Sequence, residues 1–207
     1  SPRGASWDDN GTIVFAPNFG TTGLVQVPER GGVPQKIVKK APATGEGADA
    51  TGEQALRWPD LLPGGQAVLF TAWTREQDRS QIVVERLDGT HERLVIVPGG
   101  TSAGYVPTGH IVYARGAVLW AIPFDVSRLK TTGEPVPVAD GVALTTQGAA
   151  QFDLSRTGSL VYVPGDAKGP AKKLVWVDRT GGRVPQVLAN VVLVAHQVLQ
   201  IERRGVV

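Results

Sequence analysis

The sequence of 207 residues contains no cysteine. Without a thiol there can be no disulfide framework, no thiolate metal site and no cysteine nucleophile. The compartment stays open, because a periplasmic protein can also lack cysteine. An excess of one charge is missing too, since 21 Lys and Arg residues are offset by 19 Asp and Glu residues and leave a formal net charge of +2. This balance gives no electrostatic basis for binding nucleic acid or an anionic membrane surface.

Helical periodicity and an apolar leader are also absent. No window of about 11 residues before position 186 has apolar residues at the spacing of an amphipathic helix. Instead, β-branched and aromatic residues gather in short runs bounded by Gly, Pro or Asp, as is typical of strands joined by turns. The N-terminal stretch SPRGASWDDNG lacks the apolar core region of a signal peptide. We therefore expect an all-β chain with no visible signal peptide.

One cassette recurs along the chain: an aromatic residue, a turn ending in glycine, and an apolar strand. The clearest copy is LRWPDLLPGGQAVLFTA at residues 56–72, and the others lie at residues 6–16, 104–114 and 151–163. The turn glycines are about 54, 44 and 49 residues apart, and such a period is typical of propeller blades. They are Gly11, Gly65, Gly109 and Gly158.

The repeats predict an all-β, propeller-like array of about four four-stranded blades within residues 1–188. The blades are expected near residues 5–40, 55–98, 101–140 and 149–188. Asn10-Gly11 predicts a type I′ hairpin turn. In blade four, the two outer strands are expected at residues 172–177 and 183–188. So short an array either closes as a compact ring or leaves open edges, and open edges favour association.

The segment that follows, residues 189–207, is an atypical apolar tail. From Val187 the sequence runs VLANVVLVAHQVLQIERRGVV, and Asn190, His196 and Gln197 make it a poor transmembrane segment. It could form a strand that completes a blade, or a short helix packed on the assembly. Association with another chain is a further alternative, because an apolar tail must be buried somewhere.

The cassettes resemble the repeats of TolB-type, WD-like propellers, in which an aromatic residue precedes a Ser-Pro-Asp-Gly turn. Here the turns are LPGG, VPTG and SRTG, ending at Gly65, Gly109 and Gly158. The segments GTIVFAP, RWPDLLPGGQAVLFTA, GHIVYARGAVLWAIPFD and KKLVWVDRTGG further resemble the C-terminal propeller of bacterial membrane-bound serine/threonine protein kinases. This resemblance covers about residues 4–188 and implies a bacterial, extracytoplasmic binding module. It does not extend to the kinase, since no Gly-rich loop, HRD or DFG motif is present.

Propellers bind ligands at the mouth of the channel, where the innermost strands begin. The residues expected there to bind a ligand are Ser6, Arg57 and Gln151. Trp7, Trp58, Tyr105 and Phe152 are taken as equivalent aromatic residues that pack between blades.

Three aspartates near these aromatic residues are candidate metal ligands: Asp8, Asp60 and Asp153. Asp8 and Asp153 are taken to occupy the same position in their repeats. Carboxylates that recur around a ring can converge on one axial cation, and oxygen ligands suit Ca²⁺. The alternative is that these side chains cap turns by accepting backbone N–H groups.

A Gly-x-Ser-x-Gly pattern at residues 100–104 makes Ser102 a candidate nucleophile. His110, or else His91, would have to supply the general base. No helix follows the pattern, however, so the alternative is a simple turn that leads into blade three.

Two functions follow from these observations. The first is a binding or interaction module that takes a small molecule or a protein at the channel face. The alternative is a hydrolase of lactones or esters, using Ca²⁺ at the channel, as in the similar architecture of gluconolactonase and paraoxonase propellers, or Ser102. Calcium is the only cofactor that the residues suggest. Neither nucleic-acid binding nor membrane insertion is expected, whereas self-association through the tail and the open blade edges is.

Overall fold

A computed structural model shows the chain as a row of antiparallel β-sheets. It describes residues 3–17, 23–40, 52–74, 76–145, 148–155 and 157–165, and the backbone of residues 172–177, 183–190 and 194–198. In these ranges the regular structure is β-strand, apart from one turn of 3-10 helix at Gln77–Arg79. The described part contains no helix that is long and apolar enough to cross a membrane. The predicted all-β class is therefore confirmed.

Blades one and two are four-stranded meanders, in which each strand pairs with the next along the chain. Short turns between antiparallel strands produce this order. Blade one consists of β1 (Ala5–Trp7), β2 (Thr12–Phe15), β3 (Leu24–Pro28) and β4 (Gln35–Val38). Blade two consists of β5 (Ala55–Leu61), β6 (Ala67–Trp73), β7 (Gln81–Arg86) and β8 (Arg93–Pro98).

Blade three begins in the same way, but β11 carries two further short strands. Its strands are β9 (Thr101–Val106), β10 (His110–Arg115), β11 (Val118–Asp125), β12 (Lys130–Thr131) and β13 (Val136–Ala139), the last two pairing with different parts of β11. After it come β14 (Phe152–Leu154), β15 (Ser159–Tyr162), β16 (Lys172–Val177), β17 (Arg183–Asn190) and β18 (Val194–Val198).

Blade four differs from the prediction. Within the described residues, β16 and β17 pair with each other, and neither continues the sheet of β14 and β15. β18, from the apolar tail, pairs antiparallel with β15 instead. An unpaired strand edge leaves N–H and C=O groups without partners, and the tail strand supplies those partners. Of the alternatives for the tail, the strand is the one found over Val194–Val198.

The turn glycines close the innermost hairpin of each blade. Each glycine N–H donates to the carbonyl three residues earlier, at 3.2 Å for Gly11 and 3.0 Å for Gly65, Gly109 and Gly158. All four glycines have positive φ, which costs a residue without a Cβ little. The type I′ turn predicted at Asn10-Gly11 is nevertheless wrong. That turn needs positive φ at both central residues, and of these two only Gly11 has it.

Apolar clusters fill the three spaces between successive blades. Val14 of blade one shares a cluster with Phe70 of blade two. Leu69 of blade two shares the next with Tyr113 of blade three, and the last joins blade three to Leu160 of blade four. Each fully buried side chain of this kind contributes about 1.5–3 kcal/mol. The blades are thus held together face to face. We name the face that packs on the preceding blade the leading face, and the opposite one the trailing face.

The cassette places an aliphatic and an aromatic residue on the leading face of every blade. They lie two and four residues after the turn glycine, except in blade two, where they lie three and five residues after it. Two residues that are two positions apart in a strand lie on the same face of the sheet. In blades two and three all four side chains are 0% exposed. The pairs are Ile13 and Phe15, Val68 and Phe70, Ile111 and Tyr113, and Leu160 and Tyr162.

Candidate functional site

The innermost strands of the four blades surround an axial cavity of about 700 Å³. β1, β5, β9 and β14, with the turns that follow them, all contribute to its walls. A cavity of this size is in the range of small-molecule sites. The predicted channel mouth is therefore a cavity to which all four blades contribute.

The walls of the cavity combine acidic and aromatic side chains. No lysine, arginine or histidine is among the described residues that line it, although the whole chain carries a net charge of +2. The acidic residues are Asp8, Asp9, Asp60 and Asp153, and the aromatic residues are Trp7, Trp58, Tyr105 and Phe152. Negative charge within walls of low dielectric attracts cations and disfavours anions.

Asp60 connects three blades at the cavity wall. Its Oδ1 accepts the Ser6 hydroxyl of blade one at 3.2 Å, and its Oδ2 accepts the Tyr105 N–H of blade three at 2.8 Å. Ser6 Oγ in turn accepts the Leu61 N–H at 3.0 Å. Burial raises the pKa of Asp60, and the bonds from Tyr105 and Ser6 oppose that shift. Asp60 thus fixes the blades around the axis and remains part of the cavity surface.

Asp8 caps its own turn, as the alternative interpretation of the aspartates supposed. Its Oδ1 accepts the N–H of Asn10 at 3.0 Å and that of Thr12 at 2.8 Å. Asp153 accepts the N–H of its neighbour Leu154 at 2.8 Å.

The three candidate metal ligands line one cavity without forming a metal site. Among the described residues, no group of three or more His, Cys, Asp or Glu side chains is placed to hold a metal ion. Ca²⁺ prefers six to eight oxygen ligands, whereas Asp8 and Asp60 already use carboxylate oxygens to accept protein hydrogen bonds. The donor set therefore does not fit the calcium site that the sequence suggested.

The register between strands corrects the predicted alignment of the repeats. Trp7 lies opposite Ile13, and Tyr105 opposite Ile111, so both precede their turn glycine by four residues. By the same count Asp153 matches Ser6 and Asp60, and it does not match Asp8. The prediction aligned the aromatic residues, but Trp58 precedes its turn glycine by seven residues and Trp7 by four, so the two are not equivalent.

These aromatic residues line the axis, and the prediction that they are equivalent core residues is wrong for Trp7. Its side chain is 61% exposed, while Trp58 and Tyr105 are partly exposed. The number of residues between each aromatic residue and its turn glycine is the sequence signal that distinguishes these positions, and aligning the aromatic residues on one another hides it.

A backbone position with positive φ recurs seven residues before the turn glycine in three blades. It is occupied by Gly4, Trp58 and Ser102, which have φ of +97°, +50° and +54°. For Trp58 and Ser102 the conformation coincides with a bulge, at which two residues oppose one. Positive φ in residues with a side chain costs about 1–3 kcal/mol and persists only where the surroundings impose it.

Hydrogen bonds between blades impose this conformation. The Trp58 N–H donates to the Arg3 carbonyl of blade one at 2.6 Å. The Ser102 N–H donates to Thr71 Oγ1 of blade two at 3.1 Å. Ser102 Oγ accepts the Ala150 N–H, just before blade four, at 3.1 Å. The bulges therefore join successive blades around the axis.

The structure does not bring the candidate nucleophile and base together. Ser102 is 7% exposed and its hydroxyl is engaged with Ala150. His110 pairs with Val106, four residues along β9 from Ser102, which corresponds to roughly 13 Å of extended strand. The alternative base, His91, contacts Glu85 in blade two at 3.3 Å. The Ser102–His110 prediction is therefore wrong, because the pattern marks a bulge and not a nucleophile elbow.

His110 has a local role instead. Its Nδ1 lies 3.2 Å from Thr108 Oγ1, within the turn before β10. Burial lowers the pKa of His110, which favours the neutral ring.

Of the three predicted ligand-binding residues, only Ser6 lies on the cavity wall. Arg57 is 4% exposed, and its guanidinium stacks 3.5 Å above the Trp73 ring. Burial, with Arg3 nearby, lowers the pKa of Arg57 to about 10. Gln151 contributes backbone bonds, donating to Ala143 and accepting from Val163. Both residues therefore serve the framework around the cavity.

No protein-family model matches the sequence, and neither does any curated protein. Several solved structures resemble the fold. TolB from Acinetobacter baumannii aligns with a TM-score of 0.56 and 16% identity over 93% of this chain and 43% of its own. Regucalcin from Agrobacterium tumefaciens, a calcium-binding protein, aligns at 0.53 and 12% over 88% and 72%. A gluconolactonase from Xanthomonas campestris aligns at 0.52 and 15% over 80% and 54%.

At these identities the comparisons establish the fold alone. The shared fold confirms the predicted likeness to TolB-type propellers. Lactonase-like and TolB propellers both resemble the chain, so the likeness does not separate binding from lactone hydrolysis. The chain spans about half the length of the gluconolactonase and less than half that of TolB. The resemblance to kinase propellers stays a prediction.

Proposed function

We propose that the chain is a binding module whose axial cavity takes a cationic ligand. The observation that carries this proposal is the composition of the cavity wall, with four aspartates, four aromatic residues and no basic residue among the described lining. The ligand would present an ammonium or guanidinium group, carried by a small amine or by a lysine or arginine of a peptide.

The two kinds of wall residue suit such a ligand in complementary ways. Carboxylates attract the charge and accept its N–H groups in strong, charge-assisted hydrogen bonds. Aromatic faces attract cations by about 0.5–2 kcal/mol, and they also cover the apolar stem of a lysine or a similar amine. Trp7 is 61% exposed at this wall, so its ring is available for contact.

Hydrolysis of lactones or esters is less well supported by the same geometry. Among the described side chains no histidine lies at hydrogen-bond distance from Ser102, and the Ser102 hydroxyl accepts the Ala150 N–H. Among the described residues, no group of three carboxylates or histidines is placed to hold a metal ion. The proposed role is therefore sensing or interaction, and the proposed location is extracytoplasmic, as the likeness to kinase propellers implies.

Isothermal titration calorimetry with three probes tests the proposal. A short tetralysine peptide and the diamine cadaverine represent the peptide and small-molecule sources of the cation, and the acetylated peptide is the uncharged control. We expect at least one cationic probe to bind in low salt and the acetylated peptide not to bind. Binding should weaken as salt is added, because exposed charges are screened.

Two aspartate variants locate the site. Asp153 is exposed at the cavity wall, so Asp153→Asn should weaken binding about three- to tenfold. Asp140 is an exposed aspartate outside the cavity, and Asp140→Asn should leave binding within twofold. Equal losses in both variants, or no binding of either cation, would reject the cavity as a cation site. Turnover of a lactone or p-nitrophenyl ester that EDTA or Ser102→Ala abolishes would instead favour the hydrolase.

A further inference from the structure

The acidic residues of the axial cavity form two pairs at different levels along the innermost strands. Asp60 and Asp153 each lie five residues before their turn glycine, within β5 and β14. Asp8 and Asp9 instead follow β1, three and two residues before Gly11. We name the first two residues the strand pair and the other two the turn pair. Both pairs line the same cavity.

Contacts between blades one and two show how far apart the two pairs lie. Asp60 Oδ1 accepts the Ser6 hydroxyl at 3.2 Å, so the Asp60 carboxylate is level with Ser6. Asp8 follows Ser6 by two residues, which corresponds to roughly 7 Å of extended strand. A Cβ on Gly65, in the turn of blade two, would lie 3.3 Å from Asp8 Oδ2, so this carboxylate lies at the turn end of the cavity. The cavity therefore has two separate centres of negative charge.

A carboxylate of each pair can accept a ligand N–H in addition to its protein hydrogen bonds. A carboxylate has about four lone-pair positions, and two protein donors occupy two of those on Asp60. Blade three has no side chain at the equivalent position to cover Asp60 Oδ2, because Gly104 stands there and a Cβ on it would lie 3.9 Å from that oxygen. Asp8 caps its turn with Oδ1, while its Oδ2 has a long contact of 3.5 Å with Asn10 Nδ2.

Apolar and aromatic side chains line the cavity between the two pairs. The position four residues before the turn glycine lies between them, and it holds Trp7, Leu61, Tyr105 and Leu154 in the four blades. Such side chains can cover the methylene stem of an amine, which needs no hydrogen-bond partner. A peptide segment at this level would need partners for its own N–H and C=O groups. The arrangement therefore favours a small amine over a peptide.

We propose that the axial cavity binds a linear diamine, with one ammonium at the strand pair and the other at the turn pair. This inference rests on the proposed cation site and adds a second charge and a defined spacing to its ligand. A stem of about five carbons holds two amine nitrogens roughly 7 Å apart, which matches the separation of the pairs. Lysine has the same two ammonium groups, but its carboxylate is repelled by acidic walls.

Calorimetric titrations with amines that differ in charge and length test this proposal. At pH 8 the alkylamines are protonated, because their ordinary pKa is about 10. We expect cadaverine to bind about tenfold or more tightly than n-pentylamine, which has the same stem and one charge. Both 1,3-diaminopropane, which is too short to reach both pairs, and lysine should bind at least about threefold more weakly than cadaverine. Pentylamine binding as tightly as cadaverine would overturn the diamine and leave the cation site standing, whereas no binding of any amine would reject both.

Substitution in the turn pair tests where the second ammonium lies. Asp8→Asn keeps an oxygen that can cap the turn and removes the charge, so it should weaken cadaverine about fivefold or more. It should change pentylamine less than about twofold, since a single ammonium can stay at the strand pair. Asp140→Asn, outside the cavity, is the matched control and should leave both amines within about twofold. Equal losses of the two amines in Asp8→Asn, or a tetralysine peptide that binds more tightly than cadaverine, would overturn the diamine.

Discussion

Between the blades the same type of residue recurs at each equivalent position, whereas along the axis equivalent positions hold different residues. Phe70, Tyr113 and Tyr162 all fill a leading face. At the axis, by contrast, the position held by Asp60 and Asp153 in blades two and four is held by Ser6 in blade one and by Gly104 in blade three. The repeated positions therefore explain the packing of blades, and the varied positions are where binding properties can arise. This difference can be tested by substituting one region and leaving the other intact.

The largest effect is expected at a blade interface. Phe70→Ala removes an aromatic ring that is 0% exposed and should lower the free energy of unfolding by about 3–5 kcal/mol. Phe15→Ala removes the equivalent ring of blade one, which is partly exposed, and should cost clearly less. Urea denaturation of both variants measures the contrast. Equal losses would mean that blade one is packed on both faces.

A smaller loss is expected where the innermost strand of blade one begins. Gly4 has φ of +97°, and a Cβ there would lie 2.7 Å from the Trp58 Cα. Gly4→Ala should therefore lower the melting temperature and cost about 2–3 kcal/mol. Gly31→Ala is the control, since Gly31 has a similar φ of +84° but open space around it. It should cost only about 1 kcal/mol, so losses of the same size would contradict the close approach of blades one and two.

Loss of the Ser102 hydroxyl should have a more modest effect. Ser102→Ala removes the acceptor of the Ala150 N–H and should destabilise the fold by about 1–2 kcal/mol. Ser159→Ala, at an exposed position, should change stability by less than about 0.5 kcal/mol. Chemical denaturation gives both values. A Ser102→Ala variant as stable as the wild type would show that this bond between blades three and four adds nothing.

The smallest effect is a dependence on pH at Asp60. Burial raises its pKa in the folded state above the ordinary value of about 3.9. The folded chain then holds this proton more tightly than the unfolded chain, so its contribution is complete below pH of about 3.9 and is lost as pH rises through the folded pKa. Asp60→Asn does not titrate there. The stability of the wild type relative to this variant should therefore increase as pH falls from 7 towards 4, and a decrease in denaturation experiments would contradict the raised pKa.

The sequence was sufficient for those features that depend on repetition. The turn glycines and the apolar strands after them predicted the repeated blades, because a short apolar run that follows a tight turn is typical of a strand. It was insufficient where the backbone departs from the regular register. The bulge between Arg57 and Asp60 is such a departure, and nothing in the residue types at 57–60 announces it.

Contacts between distant parts of the chain were also beyond sequence reasoning. Tyr105 donates to Asp60 across 45 residues, and β18 pairs with β15 across a separate hairpin. Arg57 looked like a ligand-binding residue because of its position beside the aromatic residue. Its stacking on Trp73 depends on which face of β5 it occupies, and the bulge changes that face.

Each described blade packs on the blades that precede and follow it in the sequence, so unfolding is expected to spread from blade to blade along a single row. A blade at the end of such a row loses one interface when it detaches, whereas an inner blade loses two, so the row opens from its ends. Val83 on β7, which packs towards blade one, and Val84, which packs towards blade three, belong to a sheet enclosed on both sides. Amide protons of β6 and β7 should accordingly exchange with solvent among the slowest in the described chain, with protection falling towards β1 and β14.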